Sequence, residues 1–299
     1  MKTLTIFTPT YNRAYILPNL YQSLCKEPTE DFIWLIIDDG SSDNTQEVVE
    51  KWQRENKIEI IYHKQTNGGK MRAHNVATRL CCTPLFFCID SDDQIIEGTV
   101  KKIIETHQGL QDDKFLCGII AKKLIINRQT SQNLPNLKRS TLHDIYQTGF
   151  TGDTSLVFKT SVLREFPFPE IAGEKFVTEG YVYDQIDQKY EFLILNDFLM
   201  RCEYQEDGYT TNAASLYLKY PKGWALFYAQ YYRFYAKSLR DKIKYMGHYI
   251  SMCMFAKIPL FKMFNDSPSV IISLISIPAG LKFYKRFKST TGAIKSHWF

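Results

Sequence analysis

The stretch FIWLIIDDGSSD, residues 32–43, joins a near-continuous apolar run to a cluster of acidic and small polar residues. A short apolar run bounded by turn residues is typical of a strand that is covered on both faces of a parallel sheet. The polar cluster that follows it predicts a turn at the carboxyl end of this strand. Asp43 or Ser42 is predicted to cap a helix that continues through Trp52.

The same alternation of strand and helix recurs before residue 110. Further strands are predicted at 4–9, 58–63 and 84–89, and helices at about 14–25 and 70–80. Strands that alternate with helices predict an α/β fold, in which a mostly parallel central sheet is flanked by helices. Later apolar runs at 191–197 and 201–205 predict two separate strands, and the pattern becomes helical from Pro221.

Polar clusters follow all four predicted strands. They are TPTYNR (8–13), DDGSSD (38–43), KQTNGGK (64–70) and DSDD (90–93). In open parallel sheets, ligands bind beyond the carboxyl ends of the strands. We therefore expect the four clusters to converge at one edge of the sheet, and this convergence is a stronger signal than any single motif.

The DSDD cluster carries three carboxylates, Asp90, Asp92 and Asp93, directly after an apolar run. Clustered carboxylates repel one another unless a cation offsets their charge. Oxygen ligands favour Mg²⁺ or Mn²⁺, which proteins often bind partly through the phosphates of a substrate. The alternative is a solvated turn in which Asp92 caps the next helix. The position beside three other polar strand ends favours a metal site.

The clusters after the second and third predicted strands suit a nucleotide. Asp38 and Asp39 could accept hydrogen bonds from a base or a ribose. Gly68 and Gly69 would let the backbone approach a ligand closely, and Lys70 at a helix start suits a diphosphate. Ordinary turns are the alternative for each cluster. The motifs GxGxxG, GxxxxGK[ST], GxSxG and HExxH are absent from the sequence, which disfavours dehydrogenases and P-loop NTPases.

Four motifs together resemble the nucleotide-sugar half of family-2 glycosyltransferases with the GT-A fold. They are TPTYNR at 8–13, IIDDGSSDNT at 36–45, NGGK…AHN at 67–75 and IDSDD at 89–93. The resemblance covers roughly residues 1–110 and continues more loosely to about 215. It implies an inverting, metal-dependent hexosyl transfer from a UDP-sugar to a hydroxyl of a saccharide acceptor, and relatives of this kind often extend lipid-linked glycans.

The resemblance also implies roles for individual residues. Asp39 would contact the uracil, Asp90 would face the ribose and Asp92 would bind the metal. The residues predicted to contact the donor are Thr8, Pro9 and Tyr11 around the base, with Arg13, Asp38, Asp39, Gly68, Gly69, Lys70, Asp90 and Ser91 around the rest of the nucleotide. The predicted metal ligands are Asp92, Asp90 and Asp93, and the expected ion is Mn²⁺ or Mg²⁺.

The general base is predicted among three carboxylates. In many relatives a Glu-Asp pair opens a helix past the middle of the chain, whereas this chain has Glu179 followed by Gly180 at the matching place. Glu179 is the predicted base, Asp184 is the reserve, and Asp153 could hold or activate the acceptor. The departure at Gly180 leaves open a non-catalytic nucleotide-sugar-binding protein of the same fold.

The last part of the chain differs in composition from the rest. Residues 219–299 hold 14 Lys and Arg but only 2 Asp and Glu, together with many aromatic residues. We predict a GT-A domain at 1–215, with a donor half at 1–110 and an acceptor half at 111–215, followed by a helical, basic and aromatic region at 216–299.

The segment SVIISLISIPAGLKFYKRFK, residues 269–288, pairs a short apolar stretch with four basic residues. This pattern predicts an amphipathic anchor on an anionic membrane surface. Alternatively, the aromatics pack onto the catalytic domain, or stack on sugar rings of the acceptor, and the lysines face water. We do not expect nucleic acid, since no recognisable nucleic-acid module is present. Seven cysteines without a CxxC pair suit a reducing cytosol, so the predicted location is cytoplasmic and peripheral on the inner face of the membrane.

Overall fold

The computed structural model of the chain describes residues 2–109, 113–126, 133–203 and 213–289. It divides into two compact units. The first unit comprises Met1–Phe168 and Gln185–Glu203, and the second comprises Pro169–Asp184 and Tyr204–Phe299. Residues 204–212, beside the predicted boundary at 215, and the end of the basic tail at 290–299 lie outside the described residues.

A central sheet organises the first unit. Its strands are β1 (Leu4–Thr10), β2 (Phe32–Asp38), β3 (Ile60–Lys64), β4 (Leu85–Cys88), β5 (Gln94–Ile95), β6 (Leu116–Ile125), β7 (Arg139–Ser140), β8 (Thr154–Lys159) and β9 (Glu191–Cys202). The strand order is β3-β2-β1-β4-β8-β6-β9-β5, and β7 pairs with β9. The first four strands in this order are parallel, whereas β8 runs antiparallel to both of its neighbours. The carboxyl ends of β1 to β4 therefore meet at one edge.

Twelve helices are described. They are α1 (Leu17–Leu24), α2 (Thr45–Glu55), α3 (Lys70–Leu80), α4 (Thr99–His107), α5 (Leu142–Gln147), α6 (Thr160–Glu165), α7 (Gly180–Asp187), α8 (Ala213–Lys219), α9 (Pro221–Tyr235), α10 (Leu239–Phe255), α11 (Leu260–Asn265) and α12 (Val270–Ser289). The predicted α/β fold with a central sheet, flanking helices and a helical C-terminal region is confirmed.

The β2 strand decides the core of the first unit, as its apolar run predicts. Every residue of β2 is buried. Trp34 of β2 stacks on Tyr21 of α1 and on Trp52 of α2, with ring centroids 6.1 and 5.7 Å away. Large aromatic rings bury much apolar surface, so these contacts fix α1 and α2 on the same face of the sheet.

Two local predictions are wrong. The N-cap of α2 is Asn44, not Asp43 or Ser42, and Asn44 makes no side-chain cap hydrogen bond. The Asp43 carboxylate accepts instead from the backbone N–H groups of Thr45 (3.1 Å) and Ala14 (3.1 Å) and so links two loops. The two strands predicted at 191–197 and 201–205 are one strand, β9, over the residues described there. Its register against β6 shifts between Ala121 and Lys123, which keeps the strand continuous through the polar residues.

The second unit is built from α9, α10 and α12, whose shared core is aromatic. Tyr217 stacks on Trp224 at 4.0 Å, and His248 lies between the rings of Tyr228 (4.7 Å) and Phe283 (3.9 Å). Within the described ranges, no helix combines the length and the apolar character that crossing a bilayer requires.

Candidate active site

The loops after β1 and β2 are tied together by hydrogen bonds. Asn12 has a backbone φ of 53°, in the left-handed region, and its backbone N–H donates to the Ser41 hydroxyl (2.8 Å). The Asn12 side-chain oxygen accepts from the backbone N–H of Ser42 (2.8 Å). A short polar side chain tolerates this backbone conformation, and the result is a fixed spacing between the first two strand ends.

Asp38, the last residue of β2, is fully buried. One carboxylate oxygen accepts from the backbone N–H of Ser41 (2.7 Å), and the other accepts from the Tyr62 hydroxyl (2.5 Å). The side chain points into the protein and holds the turn, and the predicted contact of Asp38 with a base or a ribose remains a prediction.

Asp39, the next residue, organises the glycine loop after β3. Its carboxylate accepts from the backbone N–H groups of Gly68 (2.8 Å) and Gly69 (2.7 Å) and from the side-chain amide of Gln65 (2.7 Å). Gly69 has a φ of 92°, which a residue with a Cβ rarely adopts. The two glycine N–H groups that the sequence assigned to a diphosphate thus point at Asp39, and the predicted uracil contact of Asp39 remains a prediction.

Lys70, the first residue of α3, connects the third strand end to the fourth. Its ammonium group lies 2.7 and 2.9 Å from the two carboxylate oxygens of Asp90. Burial alone would raise the pKa of Asp90, but the charges of Lys70 and Lys123 outweigh it and hold that pKa below its usual value. Asp90 is therefore ionised and already neutralised by a lysine.

Asp93 has a lysine partner as well. The Lys123 ammonium group of β6 lies 2.7 Å from the Asp93 carboxylate, which is only 4% exposed. Burial raises the pKa of Asp93, while the charge of Lys123 acts in the opposite direction. The backbone N–H of Lys123 donates to the backbone oxygen of Asp153 (3.0 Å), the residue directly before β8, so the Asp153 backbone lies beside Lys123.

Asp92 is the carboxylate of the cluster that best fits a metal. Burial and the negative charge of Asp90 raise the pKa of Asp92, so an incoming cation would stabilise its ionised form. In the part of the chain that the structure describes, no group of three or more His, Cys, Asp or Glu is arranged to hold a metal ion. The three predicted ligands do not form one set, because Asp90 and Asp93 already pair with lysines.

The residues after β1 divide into core and surface. Thr8 is fully buried, and its hydroxyl accepts from the Trp34 indole N–H (3.0 Å). Its predicted place in the base pocket remains a prediction. Pro9 is half-buried, whereas Tyr11 is 50% exposed at the strand end. Arg13 donates to the Tyr15 hydroxyl (2.6 Å), and its charge acts on Asp90. Ser91 is buried in the turn after β4.

The predicted bases Glu179 and Asp184 belong to the second unit. Glu179 directly precedes α7, and its backbone oxygen accepts from Val182 (3.0 Å) and Tyr183 (3.1 Å). Asp184 is buried and accepts from the Tyr235 hydroxyl (3.3 Å). The predicted loop-to-helix position of Glu179 is confirmed, and the catalytic roles of both residues stay predictions.

The sequence interpretation missed Tyr62, Lys123, Gln65 and Asn12. Lys123 had a readable signal, because two lysines interrupt the apolar run of β6 and successive residues of a strand face opposite sides of the sheet. Lys123 pairs with Asp93, whereas Lys122, on the other side of the strand, donates to the Asn133 side-chain oxygen (2.9 Å). Tyr62 and Gln65 had no such signal, since their partners depend on the pairing register of β2 and β3.

Comparisons with known proteins agree with this geometry. The family model of glycosyl transferase family 2 matches residues 5–167. GalNAc(5)-diNAcBac-PP-undecaprenol beta-1,3-glucosyltransferase of Campylobacter jejuni is 25% identical over 230 residues, which are 74% of this chain and 72% of that enzyme. Poly(ribitol-phosphate) beta-N-acetylglucosaminyltransferase TarS of Staphylococcus aureus is 30% identical over 103 residues, which are 34% of this chain and only 18% of that protein.

Two solved structures share the fold. The crystal structure of S. aureus TarS 1-349 in complex with UDP-GlcNAc superposes with a TM-score of 0.60 at 19% identity, over 96% of this chain and 81% of that one. The mannosyltransferase PcManGT from Pyrobaculum calidifontis, in complex with GDP-Man and Mn²⁺, superposes with a TM-score of 0.55 at 16% identity, over 96% and 82%.

Proposed function

The chain belongs to glycosyl transferase family 2, and from this membership we propose that it transfers a sugar from a UDP-sugar to a hydroxyl of a saccharide acceptor. The observation that carries the proposal is the joined edge of β1 to β4, where Asp39 holds the glycine loop and Lys70 pairs with Asp90. UDP is the proposed nucleotide because a structural neighbour binds UDP-GlcNAc, and a sugar-transfer role in glycan synthesis agrees with the relatives.

The residues of this edge suit the departure of a diphosphate. Negative charge develops on the leaving group as the glycosidic bond breaks, so fixed positive charge nearby lowers the barrier. Lys70 and Arg13 supply such charge in the first unit. Tyr11, half exposed at the end of β1, offers a ring on which the base could stack.

Asp92 is the residue that would hold Mn²⁺ or Mg²⁺. The ion would complete its coordination with donor phosphates, because one carboxylate leaves most positions of a hard cation open. When bound, it would offset the charge that develops on the diphosphate. Lys70 and Lys123 keep Asp90 and Asp93 neutralised, so the local repulsion on Asp92 is reduced.

Inversion needs a base that takes the proton of the acceptor hydroxyl. We assign this role to Glu179, at the start of α7, with Asp184 in reserve and Asp153 as a residue that holds the acceptor. Glu179→Gln should lower kcat by about 10²-fold or more and leave UDP affinity unchanged. The same kcat loss in Asp184→Asn, with a fully active Glu179→Gln enzyme, would transfer the role to Asp184.

The acceptor is proposed to be lipid-linked. The Campylobacter relative is named for an undecaprenol-linked substrate and is similar over 74% of this chain. An enzyme that extends such an acceptor from a cytosolic nucleotide sugar would work at the inner face of the membrane, as a peripheral protein.

The test is a screen of nucleotide sugars for hydrolysis and transfer, with Mn²⁺ or Mg²⁺ and with a chelator. We expect UDP release from at least one UDP-sugar, loss of that release with the chelator, and a fall of about 10²-fold or more in Asp92→Ala. Asp266→Ala, which removes an exposed carboxylate of the second unit, is the matched control. UDP binding without turnover of any donor would instead favour a non-catalytic binding protein.

A further inference from the structure

The outer face of α12 is apolar and exposed. Val270 (51%) is exposed at its first residue, and four more exposed apolar side chains are Ile271 (71%), Leu274 (54%), Ile275 (54%) and Leu281 (42%). Leu274 and Ile275 follow Ile271 by three and four residues, and Leu281 follows Leu274 by seven residues, or about two turns, so these four share one stripe. We call these four residues, with Lys282 and Lys285, the outer face of α12.

The inner face of the same helix combines small and polar residues with aromatic ones, among them Phe283, which stacks on His248. Ser273 and Ser276 are fully buried, and Gly280 is buried beside Ile250 of α10. A Cβ on Gly280 would lie 2.6 Å from the Ile250 side chain, so the two helices need a small residue there. The Ser273 hydroxyl donates to the backbone oxygen of Ser269 (2.8 Å) and thereby satisfies its own polarity.

This distribution differs from that of an ordinary surface helix, because exposed Ile and Leu side chains accompany buried serines. A helix that packs on a water-soluble core places Ile and Leu inward and Ser outward, because burial of apolar surface stabilises the fold. The bulky apolar side chains of the outer face, unlike Phe283 and Phe287 of the same helix, are not buried in the fold of the second unit. Exposed apolar patches of this kind mark a surface that contacts another apolar phase or partner.

The carboxyl end of the outer face is basic. Lys282 and Lys285 follow Leu281 on the same stripe and are exposed, and no acidic residue occurs between 267 and 299. A second exposed apolar pair, Leu260 (70%) and Phe261 (77%), opens the neighbouring helix α11. Apolar side chains beside lysines complement a surface that is apolar below and anionic above.

We propose that the outer face of α12 docks on an anionic lipid bilayer, with the helix in the plane of the interface. Ile271, Leu274 and Ile275 enter the acyl boundary, and Lys282 and Lys285 contact anionic headgroups. A second copy of the chain fits this face less well, because lysines are depleted from the cores of protein interfaces. The inference deepens the peripheral attachment proposed above, but it rests on the second unit and requires no donor chemistry.

The experiment is sedimentation of the full chain with vesicles, in the absence of nucleotide. The vesicles are phosphatidylcholine alone or phosphatidylcholine mixed with phosphatidylglycerol. We expect binding to the anionic vesicles that weakens as salt is raised. The variant Ile271→Ser/Leu274→Ser/Ile275→Ser should bind at least about tenfold more weakly, and Lys282→Gln/Lys285→Gln should lose about fivefold per lysine.

Matched controls change the same chemistry elsewhere. Leu80→Ser/Leu137→Ser/Leu239→Ser removes three apolar side chains of similar exposure, between 45% and 61%. Lys26→Gln/Lys51→Gln removes the same charge from exposed lysines of the first unit. Both controls should bind vesicles like the original chain. Hydrolysis of the UDP-sugar without lipid should be unchanged in the α12 variants, which separates this inference from the proposed transfer.

Three results would overturn the inference. One is a chain that does not sediment with anionic vesicles. Another is equal binding by the triple serine variant and its control. The third is concentration-dependent self-association that the triple serine variant abolishes, without any vesicle binding, which would assign the face to a second copy of the chain.

Discussion

Two regions of the molecule are built in opposite ways. One is the edge of the first unit where the carboxyl ends of β1 to β4 meet, which we propose as the donor site, and the other is the outer face of α12. At this edge Asp38, Asp39 and Asp93 are buried and Asp90 is 38% exposed, and each of the four carboxylates accepts a hydrogen bond from a protein donor. The outer face of α12 exposes apolar side chains, whereas Ser273 and Ser276 on the other side of the helix are buried. A site that orients one ligand needs groups held in place, and buried ion pairs and hydrogen bonds do this at a cost in desolvation. A surface that contacts a fluid lipid phase needs apolar and basic side chains on one face, and few of its groups have to be held in fixed positions.

The largest expected effect tests whether buried charge in the first unit is held by its partner. Lys123→Met leaves the buried Asp93 carboxylate without its lysine and should lower the free energy of unfolding by about 3 kcal/mol or more. Asp93→Asn in the same chain should restore most of this loss. Urea unfolding measures both.

Lys102→Met is the control for that pair. Its ion pair with Asp197 has a similar distance, 2.5 Å, but both side chains are about two-fifths exposed. The expected loss is below about 1 kcal/mol. Equal losses in the Lys102 and Lys123 variants would contradict the contrast between buried and exposed charge.

The second prediction reverses the usual rule for helix substitutions on α12. Ser273→Leu places a large side chain into a fully buried position and should destabilise the second unit by about 2 kcal/mol. Ile271→Ser, on the outer face, should cost less than about 0.5 kcal/mol. Thermal unfolding followed by circular dichroism compares them, and a larger loss for Ile271→Ser would mean that the outer face packs against protein.

The third prediction concerns a buried histidine of the first unit. His74 lies among Phe7, Phe86 and Phe168, and burial lowers its pKa to about 3. The unfolded chain therefore binds more protons than the folded chain between pH 3 and the ordinary histidine pKa near 6.5, and stability falls as pH drops below that value. The expected loss at pH 5 is about 2 kcal/mol.

Hydrogen exchange of the β1 and β2 amides at pH 7.5 and pH 5 measures this loss within the first unit. His74→Leu should remove it, while His63→Leu, at an exposed position, should leave it in place. Unchanged protection in the original chain at pH 5 would show that His74 is not held neutral.

The smallest expected effect distinguishes Thr8, a buried residue of β1, from Tyr11, the exposed residue directly after β1 that we propose contacts the nucleotide. Thr8→Val removes the acceptor of the Trp34 indole and should cost about 1 kcal/mol of stability without altering UDP affinity. Tyr11→Ala should do the opposite, with stability unchanged and UDP binding weakened about tenfold. Weaker UDP binding by the Thr8→Val variant would instead show that Thr8 contributes to the nucleotide site.

Sequence patterning predicts the scaffold of this protein well and its side-chain pairings poorly. The apolar runs of β1, β2 and β4 and the turn residues after them are local signals, so the strands and their convergence could be read directly. Asp38 and Asp39 are neighbours on the chain, yet they bond to different loops, because successive residues of a strand face opposite sides. Which side faces the ligand edge depends on the sheet register and not on the motif.

Long-range pairs set a second limit. Lys123 and Asp93 are 30 residues apart and meet only because β6 and the turn after β4 are assembled in the folded unit. The sequence shows the three acids of residues 90–93 but not the lysines that pair with Asp90 and Asp93, so these two ion pairs could not be predicted from it. The sequence shows that α12 combines apolar and basic residues, but only its packing against α10 shows which of its side chains are exposed.

The central claim is that the joined strand ends of the first unit bind the diphosphate of a nucleotide. Calorimetric titration of UDP with Mn²⁺ tests it most directly, comparing the original chain with Lys70→Met and with Lys57→Met, an exposed lysine at 61%. We predict that Lys70→Met weakens UDP binding by about tenfold or more and that Lys57→Met binds like the original chain. No binding of UDP by the original chain, or equal affinity in the Lys70 variant, would contradict the account.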